Sequence, residues 1–396
     1  VPRAVTHVSI RSDRGLISLK DVVASNLYAY LVKDDLNTLG YPALLAGVSF
    51  EVATPPRGFR VTLGGYQDKQ AVLLERVLET LTTLAIAEDR FTTLKEEFRR
   101  SLENSSKDRP YQQGFSQLTD TLLESSWPAD AMMTELEQLT RPALAAWRDE
   151  YFSEVNVEGL MVGNVDEQDA SAIRQTLREQ LSLAPGTDRR PTVTQIKDRT
   201  DMKLEIDHDD AMMVIYAQND DDSLTSRASS SLLVHLLRPK YFTSLRTEQQ
   251  LGYVVTAIQA EYENQGGVGF VIQSPVASAQ TLVDRTTQFL DWQREALTSL
   301  EAEAFSEAKA GLIAEILEKD KNLGSRAGRY WSDLDEGIMT FDGREQIAAA
   351  IDALSKAELM TFFEQVTEKI NDRPLFIWSQ GKFAASEGEA EAAPAL

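Results

Sequence analysis

Pro239-Lys240-Tyr241-Phe242-Thr243-Ser244-Leu245-Arg246-Thr247-Glu248-Gln249-Gln250-Leu251-Gly252-Tyr253-Val254 joins an apolar-striped helix to a strand. Leu245 and Leu251 are spaced to anchor a short helix on its sheet, and Gly252 is expected to supply the conformation that ends it. Tyr253 then opens the strand Val254-Val255-Thr256-Ala257-Ile258. Arg246 and Tyr253 lie seven positions apart, about two turns or ~10.5 Å of rise if the stretch is helical throughout. Both can then project from one edge toward a common ligand. A guanidinium and a phenolic hydroxyl are good donors to a peptide carbonyl or a developing oxyanion. The plainer alternative is a surface salt bridge beside a half-buried tyrosine.

Working outward, the chain repeats itself. Val8-Ser9-Ile10 and Val214-Ile215-Tyr216 read as strands, each followed by a polar loop and then a helix with aliphatic residues spaced by three and four. Ser25, Leu27, Leu31 and Leu45 match Ser231, Leu233, Leu237 and Leu251 at a constant 206 positions. An offset one shorter pairs Leu27, Leu31 and Gly47 with Leu232, Leu236 and Gly252, leaving the register open by one residue. Further on, Arg60–Leu63 and Gly269–Ile272 are strand-like, and Ala71–Leu84 presents a helical apolar face matched by Leu282, Val283, Phe289 and Leu290. Long polar helices follow in both copies, around Phe91 to Leu102 and Phe305 to Leu317. Each copy closes on a helix and a strand, Gly159–Gly163 in one and Pro374–Trp378 in the other.

The order strand, helix, strands, helices, strand does not alternate as a doubly wound sheet requires. The fold class expected is α+β: two homologous domains, each a largely antiparallel sheet with helices packed on one face. Residues 1–188 form the first domain, 189–200 a linker rich in proline and charge, and 201–384 the second. Residues 385–396, mostly Ala, Glu, Gly and Pro, are expected to form a disordered acidic tail. Gly266-Gly267-Val268-Gly269 is expected to be a hairpin turn.

The 62 acidic and 40 basic residues give a formal net charge of -22, which makes nucleic acid and anionic membrane poor partners. No apolar run approaches the roughly 18 residues that span a bilayer. The absence of cysteine removes disulfides, thiolate metal sites and Cys nucleophiles, and suits periplasm and cytoplasm alike. The chain opens at Val1 with no signal-like segment, which leaves room for a preceding one.

His7, His208 and His235 are far apart in sequence, and none stands in H-E-x-x-H or H-x-x-E-H. They read as a strand-edge residue, part of an acidic turn, and a helix-face residue. Asn219-Asp220-Asp221-Asp222 fails the calcium-loop pattern, with Leu224 and Ser230 where glycine and a bidentate glutamate belong. No residue of this chain is therefore expected to bind zinc or act as general base.

The run Leu245-Arg246-Thr247-Glu248-Gln249-Gln250-Leu251-Gly252-Tyr253 resembles the C-terminal half of the insulysin/pitrilysin zinc metallopeptidases, the inverzincins. Lys33-Asp34-Asp35-Leu36-Asn37 with Leu44-Leu45-Ala46-Gly47, and Gly64-Gly65-Tyr66-Gln67-Asp68-Lys69-Gln70, are similar to that family's third domain. The resemblance implies four related domains paired in two halves around a chamber, with zinc held by H-x-x-E-H in the first. On it, this chain is third-domain-like and then fourth-domain-like, and supplies chamber wall. Arg246 and Tyr253 would bind substrate backbone and stabilise the tetrahedral intermediate. The implied partners are an N-terminal zinc-bearing half and peptide substrates, and the chain alone is expected to be inactive. Two alternatives share the fold: a processing protease for the pyrroloquinoline quinone peptide, and a catalytically silent scaffold.

Overall fold

The computed structural model describes residues 2–186 and 188–383, so the acidic tail expected at 385–396 lies outside the described residues. In chain order the elements are β1 (Arg3–Arg11), α1 (Leu19–Leu45), β2 (Val48–Ala53), β3 (Phe59–Tyr66), α2 (Gln70–Thr83), α3 (Glu88–Ser105), α4 (Pro110–Leu122), α5 (Ala129–Gln138), α6 (Arg141–Tyr151), β4 (Asn156–Gly163) and α7 (Glu167–Gln180). There follow β5 (Thr200–Lys203), β6 (Ala211–Gln218), α8 (Leu224–Tyr241), a π-helical turn (Phe242–Glu248), β7 (Val254–Tyr262), β8 (Gln265–Ser274), α9 (Ala279–Thr298), α10 (Ala302–Ile316), α11 (Leu323–Glu336), α12 (Gly343–Ala353), α13 (Lys356–Asp372) and β9 (Leu375–Ser379).

Two compact units result. Among the described residues, the first gathers those within 2–104, 124–192 and 319–341, the second those within 105–123, 193–318 and 342–383. The chain passes between units at Thr192–Val193, and two segments lie apart in sequence from the rest of their units. The segment carrying α4 belongs to the second unit and the segment carrying α11 to the first.

In the first unit the sheet order is β2-β3-β1-β4, antiparallel throughout. In the second it is β5-β9-β6-β8-β7, antiparallel except for the β5–β9 pair. Matched to the first sheet, β7-β8-β6-β9 repeats β2-β3-β1-β4. The helices settle the register of the repeat at the shorter offset. Ser18 and Ser223 are the N-caps of α1 and α8, each accepting from a backbone N–H in the first turn. At that spacing Val23, Leu27, Tyr28 and Val32 of α1 match Ala228, Leu232, Leu233 and Leu237 of α8, and all eight are buried. Seen from the sequence the two registers are hard to separate, because adjacent leucines occupy the same stripe.

Strand periodicity sorts the buried residues into layers. Val8 and Ile10 of β1 face the main helical core of their unit, and Met213 and Ile215 of β6 face that of theirs. The helices do not keep to one face, however. Met212, Val214 and Tyr216, alternating with those core residues, form a second apolar layer with Leu118 and Leu122 of α4. In the first unit α11 packs on β1 and β4, with the Trp331 ring centroid 5.2 Å from that of His7. His7 is thus not an edge residue: β1 lies between β3 and β4. The expected hairpin turn is corrected too. Glu263 and Asn264, at φ 45 and 69, make the β7–β8 turn, and the glycines lie within β8. Gly267 leaves room there for Tyr216, whose ring carbon would be 2.3 Å from an added Cβ.

Candidate functional site

The site begins where α8 changes pitch. After Tyr241 the backbone continues as a π-helix through Phe242–Glu248, with Gln249 N donating to Ser244 O at 3.1 Å. Such wider turns are uncommon and concentrate at functional sites. Leu245 is fully buried and anchors the turn, and Leu251 N donates to Leu245 O at 2.9 Å to close it. The left-handed residue that ends the helix is Gln250, at φ 53, not Gly252. Gly252 answers a different need. A Cβ there would sit 1.9 Å from Gln273 O, so glycine is what lets the chain press against the end of β8. Ser274 Oγ fixes the same crossing by donating to Leu251 O and accepting from Ala277 N at 3.0 Å.

This geometry brings Arg246 and Tyr253 together, though not along one helix as their spacing suggests. The Arg246 guanidinium carbon lies 4.9 Å from the Tyr253 ring centroid and 4.6 Å from that of Phe242. Face-on contact with two rings orients a guanidinium while leaving its in-plane N–H groups free. Among the described residues, no hydrogen bond or ion pair engages Arg246 or the Tyr253 hydroxyl. Tyr253 is 73% exposed. The salt bridge with a half-buried tyrosine, the plainer alternative, is therefore not what the fold builds. Phe242 is the member that sequence reading missed. Its signal was present: an aromatic four positions before an arginine on a helix is a facing pair. Nearby Tyr241 has another role. It is buried, shares a hydrogen bond of 2.8 Å with Thr286, and burial raises its pKa, so its hydroxyl serves the core.

The histidines do not converge. His7 packs against Trp331 with the rings tilted, His208 Nδ1 accepts from Asp210 N at 2.9 Å, and His235 Nδ1 lies 3.9 Å from a Glu315 carboxylate oxygen. Among the described residues no group of three or more His, Cys, Asp or Glu could hold a metal ion. Asp220 pairs with Lys369 and Arg373, both at 3.0 Å, and Asp221 Oδ1 accepts from Ser223 N at 3.0 Å ahead of α8. These acidic residues are spent on structure.

Comparison with known proteins adds to this geometry. Residues 1–135 match the family described as the middle or third domain of peptidase M16, and residues 232–331 match the C-terminal lobe domain 4 of PQQ synthase PqqF-like proteins. Insulin-degrading enzyme of Homo sapiens is 29% identical over 351 residues, covering 86% of this chain and 34% of that protein. Protease 3 of Escherichia coli strain K12 is 27% identical over 368 residues, covering 92% of this chain and 38% of its own length. The crystal structure of pitrilysin superposes with a TM-score of 0.89 at 26% identity, over 99% of this chain and 42% of that one. The chain resembles the insulinase/pitrilysin family. It corresponds to the C-terminal half of such proteins and spans little more than a third of the length of the curated relatives it matches. Among insulinase/pitrilysin folds, a peptidase M16 inactive domain from Pseudomonas fluorescens also superposes, with a TM-score of 0.73 over 96% of this chain at 14% identity. The insulinase/pitrilysin proteins are zinc metallopeptidases, and the described residues of this chain offer that metal no ligand set.

Proposed function

We propose that this chain is the non-zinc-binding C-terminal half of a zinc-dependent endopeptidase. It lines the chamber and presents Arg246 and Tyr253 to the peptide. One observation carries the reading: the guanidinium is held by two rings with its N–H groups unpaired, next to an exposed hydroxyl. Donors prepositioned in this way, with no partner in their own unit, suit a carbonyl oxygen that gains negative charge. Zinc belongs to the N-terminal half, and the chain alone cleaves nothing.

The test assembles the complete protein with its N-terminal half and changes Arg246→Ala and Tyr253→Phe singly. Loss of one such donor typically lowers kcat by ~10²–10³. Both side chains lie outside the buried core, so unfolding midpoints stay near the parent's. Peptide cleavage within about twofold of the parent in both variants would refute the assignment. A second reading, a processing protease for the pyrroloquinoline quinone peptide, is favoured by the match of residues 232–331 to PqqF-like proteins. Cleavage of that peptide in preference to unrelated peptides of similar length would distinguish it. A silent scaffold, the third reading, would show no response to either substitution.

A further inference from the structure

Two rings touch the Arg246 guanidinium, and the fold does not hold them equally. Phe242 opens the π-helical turn between two buried anchors. Tyr241, the residue before it, packs edge-on against Phe270 and Phe289, with ring separations of 5.1 and 5.0 Å, and its hydroxyl bonds Thr286. Leu245, one turn on, is buried as well. A turn earlier Arg238 Nε donates to Ala257 O of β7 at 2.8 Å, which ties the end of α8 to the strand that Tyr253 precedes. The backbone that carries the Phe242 ring is therefore fixed from both sides. The Tyr253 side chain has no such frame. It is 73% exposed, and among the described residues no other ring contact or hydrogen bond engages it. Tyr253 rests on Arg246, and Arg246 rests on Phe242.

Packing does not account for a phenylalanine at 242. The side chain is 39% exposed and stands outside the buried clusters of its unit, so its gain from burial is small. Leucine would suit the helical backbone better. What phenylalanine adds at an exposed position is the negative face of its ring, and the guanidinium carbon lies 4.6 Å from the centre of that ring. A free arginine side chain is spread over many rotamers, and holding it in one is what a donor to a developing charge requires. A donor displaced by ~1 Å loses as much as ~10² in rate.

We propose that Phe242 is a positioning residue. Its ring face sets the Arg246 guanidinium, and through it the Tyr253 ring, while Phe242 itself touches no reacting atom. This rests on the roles assigned above to Arg246 and Tyr253, and names the side chain that aims them.

The test compares Phe242→Leu, Phe242→Tyr, Arg246→Ala and the double variant Phe242→Leu with Arg246→Ala, in the complete protein assembled with its N-terminal half. Leucine keeps apolar bulk without a π face, and tyrosine keeps the face. Phe242→Leu is expected to lower kcat roughly fivefold to thirtyfold with KM within about twofold, and Phe242→Tyr to stay within about twofold of the parent in both. In the Arg246→Ala background the leucine change should cost less than about twofold, because the ring acts through the guanidinium. A second readout needs no zinc half. On the full chain with arginine labelled at Nε, the Arg246 N–H signal, assigned by its absence from Arg246→Ala, should shift and lose heteronuclear NOE in Phe242→Leu but not in Phe242→Tyr. Melting midpoints of the Phe242 variants stay within ~2 °C of the parent's, since the side chain is outside the core. An unchanged kcat in Phe242→Leu, a change in KM alone, an undiminished loss in the Arg246→Ala background, equal losses for leucine and tyrosine, or an unmoved Arg246 signal would each overturn the proposal. If Arg246→Ala itself keeps the parent's kcat, the functional assignment fails and this proposal with it. If Arg246→Ala is slow and Phe242→Leu is not, the positioning role alone fails.

Discussion

Gly252→Ala and Gly328→Ala make the same chemical change, and the structure gives them opposite signs. At Gly252 the new methyl would lie 1.9 Å from Gln273 O and 3.3 Å from Ser274 Cα, both backbone atoms of β8. A carbon normally approaches such an oxygen no closer than ~3.3 Å, so something must shift by more than an ångström. β8 cannot yield, since it is buried along its length and paired on both sides with β6 and β7. The loop carrying Gln250 to Tyr253 must move instead. Overpacking of this kind costs about 1–3 kcal/mol. Moving Leu251 away from Ser274 Oγ also strands a buried carbonyl, which adds about 1–3 kcal/mol. Taking ~3 kcal/mol for the sum, and 2–4 °C per kcal/mol for a unit of this size, the midpoint of the second unit falls by about 6–12 °C. Gly328 is an exposed position inside α11, and an added Cβ meets nothing within 4 Å. Alanine there gains helix propensity of about 0.5–1 kcal/mol, so the first unit melts a degree or more higher. Scanning calorimetry of the three proteins decides the matter. A Gly252→Ala midpoint within a degree of the parent's, or a lowered one for Gly328→Ala, would refute the argument from space.

Trp331→Ala empties the α11 side of the first sheet, with an expected loss of about 3–5 kcal/mol confined to the first unit's calorimetric transition. His7 is held down to about 4 from the ordinary 6.5, chiefly by burial and then by the Arg60 charge. The unfolded chain therefore takes up this proton first, and stability contributed by the neutral ring is whole above pH 6.5 and lost progressively from there to about pH 4. His7→Phe keeps a ring against Trp331 and removes the titration. Urea unfolding at a series of pH values should show a shallower acid limb between those two points, by ~1–2 kcal/mol once solvent screening is allowed for. Chelation should leave both transitions of the isolated chain where they are, and a midpoint lowered by EDTA would reveal a structural metal.

The repeat, the element types and the α+β class were legible because they rest on periodicity, and each copy has a helix with one apolar stripe and strands that alternate. The pair Arg246 and Tyr253 was legible as two residues but not as a geometry. Its meeting depends on a left-handed Gln250 and on contact between Gly252 and Gln273, which lie twenty-one positions apart. The partners of α4 and α11 were illegible for the same reason. An apolar stripe such as Leu118 and Leu122 says that a helix is covered, and nothing about which sheet covers it. The β8 glycines misled because glycine marks turns and close approaches alike, and Tyr216, which decides between them, is some fifty residues away.

The placement of α4 and α11 has a consequence for synthesis. Residues 1–192 contain every strand of the first sheet, yet the helix that covers one side of that sheet is made some 130 residues later. Until it emerges, Arg11 and Arg57 lack Asp335, which pairs with both in the finished unit. The first unit made is thus the one that waits, with a charged sheet face open to solvent while the second is being translated. A chain cut at Thr192 would remain at that stage.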